Sequence, residues 1–217
     1  MLGRLSGGLV VSCQAPPGHP LRSPATIALL ARCAELGGAV AVRVNSPADV
    51  RAVKDAVALP VIGLHKVPGP PHRELITPGF DLAAGLVVAG ADVVAVEATP
   101  ATPGGVELVE RIRAELGVPV MADVSTVDEG VRAWAAGADL VGSTLSGYTP
   151  DSPHREEPDL DLVAALAEKG IRVVAEGRLR TPDHVRDAFA RGAYAVVVGT
   201  AITDPVAITR WLAAAAR

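Results

Sequence analysis

A short β-branched run, a polar turn and an amphipathic stretch recur along the whole chain, and this alternation constrains the fold most. The runs fall at 9–12, 39–44, 61–64, 92–97, 118–122, 140–143, 172–175 and 195–199. Eight units in 217 residues leave about 27 residues each, room for a strand and a helical crossover of about a dozen residues. Most runs are apolar at consecutive positions, as strands covered on both faces are. Helix punctuation agrees. Ser46 before Pro47, with Asp49 following, reads as a cap; Thr181-Pro182-Asp183 repeats the device, and Ser125 or Thr126 can pair with Asp128 or Glu129. Gly37, Gly90, Gly137 and Gly192 precede strands, where a left-handed residue is expected.

No linker or low-complexity break interrupts the units, so the sequence predicts a single (β/α)8 TIM barrel over residues 1–217. A doubly wound sheet normally has fewer strands and a Gly-rich dinucleotide loop, and that loop is missing. Residues 16–24 and 67–78 are Pro-rich and carry no period, so both are expected as long loops on the rim.

Composition narrows the function. Lys and Arg total 20 against 24 Asp and Glu, a net charge of −4 that argues against nucleic acid or an anionic membrane as partner. The chain is 49% hydrophobic yet only 3% aromatic, so its core is expected to be aliphatic. Residues 7–13 are too short for a signal peptide, and 82–96 contain Asp92 and glycines, so no membrane segment is expected. Cys13 and Cys33 are too few for a disulfide framework, which suits a cytoplasmic protein.

In such a barrel, chemistry gathers at the C-terminal strand ends. The ends here read Ser12-Cys13-Gln14, Arg43 to Asn45, His65-Lys66, Glu97, Asp123, Ser143-Thr144, Glu176-Gly177-Arg178 and Gly199-Thr200. Gly177, Arg178, Gly199 and Thr200 follow the seventh and eighth strands, where barrels hold phosphate on backbone N–H groups; tight turns are the plainer reading. Lys66 and Glu176 suit an acid/base pair, with Lys66 alternatively a Schiff-base nucleophile or the two a structural salt bridge. Cys13 reads as a buried residue. The histidines, including His72 and His154 in loops, lack metal-ligand spacing, so no metal is expected.

Several strings together resemble the N-acetylmannosamine-6-phosphate 2-epimerase family: Ser12-Cys13-Gln14-Ala15, Arg43-Val44-Asn45-Ser46, Met121-Ala122-Asp123-Val124, Thr144-Leu145-Ser146-Gly147-Tyr148-Thr149 and Ala175-Glu176-Gly177-Arg178. They run in order along nearly the whole chain. The resemblance implies a cofactor-independent barrel isomerase of amino-sugar and sialic-acid breakdown, commonly a homodimer, acting on a small sugar phosphate. It implies Lys66 and Glu176 as acid/base residues and Gln14, Arg43 and Asp123 as substrate contacts. Asp204 departs from the pattern, standing where the family usually has arginine, and Glu97 stands where aspartate is usual. A Schiff-base aldolase and a non-catalytic sugar-phosphate binder remain as alternatives.

Overall fold

The structure, a computed structural model, describes residues 1–69 and 73–216; Pro70, Pro71, His72 and Arg217 lie outside it. Eight parallel strands close a barrel: β1 (Leu9–Cys13), β2 (Ala41–Asn45), β3 (Val61–Leu64), β6 (Val93–Glu97), β7 (Val120–Asp123), β8 (Leu140–Gly142), β9 (Val173–Glu176) and β10 (Ala195–Val198). The ring order is β1-β10-β9-β8-β7-β6-β3-β2, so each barrel strand pairs with its neighbours in sequence. Around it lie α1 (Pro24–Leu36), α2 (Pro47–Ala56), α3 (Phe80–Val88), α4 (Gly105–Leu116), α5 (Val127–Ala135), α6 (Leu160–Ala167), α7 (Pro182–Ala190), the short α8 (Thr200–Thr203) and α9 (Pro205–Ala215). The (β/α)8 expectation holds, and all eight expected strands are present.

One expected loop is structured. Residues 67–78 are not simply a loop: β4 (Lys66–Gly69) and β5 (Arg73–Ile76) form an antiparallel hairpin outside the barrel ring. Proline masked it, yet Pro68 is tolerated because this two-stranded sheet is all edge. Lys66 therefore opens a hairpin strand rather than ending a barrel strand.

Helix signals are mostly met. The Ser46 and Thr181 hydroxyls accept from the N–H groups of Asp49 and His184, and Thr126 forms a full capping box with Glu129. Gly90, Gly137 and Gly192 are left-handed; at the first helix Gly37 stays right-handed and Gly38 takes φ +89° instead. Asp92 and Asp139 stand just ahead of β6 and β8, so β6 begins at Val93, one residue after the expected start at 92, while β8 begins at Leu140 as expected. Each sits before its strand, and its carboxylate accepts the N–H of the residue that opens the neighbouring one, Val61 at 2.8 Å and Val120 at 3.0 Å.

Two aliphatic cores result. One lies between barrel and helices, with Val11, Val42, Val44, Val94, Val96 and Leu166; the other fills the barrel, with Val10, Ala41, Ile62, Met121, Val174 and Val197. Side chains alternate faces along a strand. Strands that point Ala41, Met121 and Val174 inward must also point Arg43, Asp123 and Glu176 inward, two residues nearer the mouth. Parity thus builds the site.

Candidate active site

The barrel mouth holds a cavity of about 570 Å³, bordered by Gln14, Arg43, Lys66, Glu176, Arg178 and Thr200 among others. At its floor Arg43 is 1% exposed. Its guanidinium grips the fully buried Asp123 with two bonds, Nη1 to Oδ1 at 3.0 Å and Nη2 to Oδ2 at 2.6 Å, and Nη1 also donates to Glu176 Oε2 at 2.7 Å. Burial pulls the Arg43 pKa down, but the Asp123 and Glu176 carboxylates outweigh this and raise it above the ordinary value. The Thr144 hydroxyl lies 2.6 Å from Asp123 Oδ1 and 3.1 Å from Glu176 Oε2. Gly142 makes this crowding possible, since a Cβ there would lie 2.8 Å from Asp123 Oδ1 and 2.9 Å from Thr144 Oγ1.

Glu176 is clamped by its own backbone as well: its N–H donates to Ser143 Oγ and its carbonyl accepts from that hydroxyl, both at 3.0 Å. Burial raises its carboxyl pKa above the ordinary value, and nearby Asp123 adds to this; Arg43, Thr144 and Lys66 oppose without cancelling it. A raised carboxyl near a cation is the form suited to proton transfer.

Lys66 borders the same cavity but does not pair with Glu176. Its Nζ lies 3.5 Å from Glu74 Oε2 across the hairpin, and its backbone N–H is fixed by Asn45 Oδ1 at 2.9 Å. The structural Lys66–Glu176 salt bridge is absent, which leaves both groups facing one space. Gln14 bonds Ser12 Oγ through one end of its amide (2.9 Å), while its Oε1 end is buried without a partner.

Beyond the seventh strand Gly177 (φ +106°) and Arg178 (φ +60°) turn sharply. Arg178 spends much of its guanidinium on the loop after β8: Nε donates to the Glu157 carbonyl (3.1 Å), Nη2 to that of Ser146 (2.6 Å), and the group lies over the Tyr148 ring. Its Nη1 is buried and unpartnered. Gly199 presses on Ser12, where a Cβ would come within 3.2 Å, and Thr200 opens α8. Cys13 is fully buried and its thiol is pushed up to about 12, chiefly by burial, so it is no nucleophile at neutral pH.

Three features escaped the sequence reading. Arg73 and Glu74 reach the cavity from β5, and Arg180 reaches it two residues after Arg178, lying over the Trp211 ring. Asp204 is a helix cap: it accepts from Ala207 N–H at 2.9 Å and from His19 Nε2 at 3.3 Å, and the first of these chiefly holds its carboxyl below the ordinary range. Asp204 followed by Pro205 is itself a cap-then-first-turn signal. Among the described residues no group of three His, Cys, Asp or Glu side chains is placed to hold a metal ion.

A closed parallel barrel with ionisable groups converging on its C-terminal mouth is the layout of a (β/α)8-barrel enzyme. The profile of the NanE family, described as "Putative N-acetylmannosamine-6-phosphate epimerase", matches residues 27–217, and the chain belongs to that family. It is 48% identical to a Cutibacterium acnes protein over all of this chain and 97% of that one, and 47% identical to one from Caldanaerobacter subterraneus over 97% and 91%. Both are described as "Putative N-acetylmannosamine-6-phosphate 2-epimerase". The solved N-acetylmannosamine-6-phosphate 2-epimerase of Clostridium perfringens superposes with a TM-score of 0.93 at 37% identity, over 99% of this chain and 96% of that one. Thiamine phosphate pyrophosphorylase of Pyrococcus furiosus, at 17% identity and TM-score 0.63, shares the fold.

Proposed function

We propose that the chain, acting as one domain, interconverts N-acetylmannosamine 6-phosphate and N-acetylglucosamine 6-phosphate by moving the proton at C2, with no cofactor. The carrying observation is that Lys66 and Glu176 enter one cavity from different elements without neutralising each other. In the open-chain sugar C2 lies beside the C1 aldehyde, so loss of its proton gives an enolate, and return to the other face inverts the centre. One group accepts the proton, the other donates, and the roles exchange between directions. Arg43 lies at the same mouth, where its guanidinium supplies positive charge for the developing oxyanion while Asp123 fixes it, and the unpartnered Gln14 Oε1 can accept from a substrate hydroxyl or N–H.

The phosphate is assigned to Gly177, Arg178, Gly199 and Thr200. The unpartnered Arg178 Nη1 and the absence of side-chain bulk at both glycines favour an anion there. Arg180 adds positive charge on the rim, and Asp204 is occupied by its cap and by His19. Two free cysteines, Cys13 and Cys33, fit a cytoplasmic setting. No helix in the described residues is long and apolar enough to cross a membrane.

A second copy is the partner assigned to α9, which buries none of its residues and leaves Trp211 and Leu212 exposed. Sedimentation should show a homodimer, and a lone monomer at micromolar concentration would contradict it. The reaction itself is tested by incubating the purified protein with N-acetylmannosamine 6-phosphate and following new N-acetylglucosamine 6-phosphate by proton NMR. No product, or borohydride trapping of sugar on Lys66, would favour a binder or a Schiff-base lyase instead.

The pair must hold one proton between them, since protonating both leaves no base. Activity should therefore fall as pH drops through the raised Glu176 value, and kcat/KM should show its acid limb above the ordinary carboxylate range of about 4.3. A limb at or below that range would contradict the assignment.

A further inference from the structure

Lys66 stands on the β4–β5 hairpin, in a register that sets it opposite Ile76 and sets Pro68 opposite Glu74. An isolated two-stranded hairpin is marginal in water, so its position over the mouth must come from the barrel. At its base the Lys66 N–H donates to Asn45 and the His65 N–H to Thr77 Oγ1, both at 2.9 Å. The other strand packs Ile76 into the barrel core and, among the described residues, takes its side-chain hydrogen bonds from the barrel wall through one residue. Glu97, at the end of β6, binds the Arg73 guanidinium through both carboxylate oxygens and accepts the Ile76 N–H at 3.3 Å. The Thr99 hydroxyl donates to it as well.

Glu97 is fully buried and does not border the cavity, whereas Arg73 and Ile76 do. A buried carboxylate with a guanidinium fork is a strong, directional anchor. Register adds a reason for dedicated partners. Glu97 lies directly beside Asp123 on the neighbouring strand, both facing inward. Asp123 is bound by Arg43 and Glu97 by Arg73, so each carboxylate has its own cation and Arg43 stays available to Glu176.

We propose that Glu97 is a positioning residue: through Arg73 and the Ile76 N–H it holds the hairpin so that Lys66 faces Glu176 across the cavity. This rests on the acid/base reading of Lys66 given above. Ångström-scale displacement of a reacting group costs orders of magnitude in rate while substrate contacts elsewhere survive. Glu97→Gln should therefore lower kcat roughly 10- to 100-fold and change KM by less than about threefold. Amide hydrogen exchange in residues 66–69 and 73–76 should quicken, with β7 and β9 unchanged. Arg73→Gln, on the outer side of the pair, should reproduce both effects and serves if Glu97→Gln does not fold.

Wild-type kcat in both variants, or a rise in KM alone, would overturn the proposal. So would unchanged exchange in the hairpin. If the wild-type protein turns over no N-acetylmannosamine 6-phosphate, the functional reading fails separately, and hydrogen exchange still decides whether Glu97 holds the hairpin.

Discussion

Lys66→Ala and Glu176→Gln are each expected to lower kcat by about 10²- to 10⁴-fold, the range that a positioned acid or base supplies. The loss should fall on kcat more than KM, because neither group is assigned to the phosphate that anchors substrate. Stability should barely move for Lys66→Ala, whose side chain is 32% exposed and, among the described residues, paired only to the half-exposed Glu74. Glu176→Gln retains an oxygen for Arg43 and Thr144, so its fold should also survive. Steady-state kinetics and a thermal melt on the same samples separate the two effects. Full activity in either variant would remove that residue from the chemistry.

Asp123→Ala is expected to be the most destabilising single change at the mouth, at about 3–5 kcal/mol. Removing one partner of a buried, doubly bonded pair strands the other charge, and Arg43 is 1% exposed. Glu176 cannot replace the lost carboxylate, because it touches only Nη1. For a chain of this size that loss lowers Tm by on the order of 10 °C. Denaturant unfolding should show it, and a change below about 1 kcal/mol would mean that Arg43 finds another partner. Activity should fall too, since an unshared Arg43 would pull the Glu176 carboxyl back toward its ordinary value.

The barrel was legible because two periods coincide in the sequence: apolar runs covered on both faces, and caps such as Thr126 and Thr181 at fixed offsets. Arg43, Asp123 and Glu176 were legible for a further reason, since polar residues at inward positions of otherwise aliphatic strands can only point into the mouth. The hairpin was not legible. Pro68 sits inside β4 and breaks the alternation, so Lys66 read as a strand end and Arg73 as a loop residue. Gly37 and Gly38 differ only in which takes the left-handed turn, a choice their sequence leaves open. Gly142 reads as an ordinary strand glycine, and its need for close approach shows only once Asp123 and Thr144 are beside it. Asp204 drew notice as a reversed charge, yet its bonds to Ala207 and His19 make it a cap whose role lies in starting α9.

The central claim is proton transfer at C2 between Lys66 and Glu176, and its most direct test is turnover in D₂O. The purified protein with N-acetylmannosamine 6-phosphate should yield N-acetylglucosamine 6-phosphate carrying deuterium at C2, read by loss of the C2 proton signal. Product that forms in D₂O with its C2 proton retained would contradict exchange with these two groups and the account built on them.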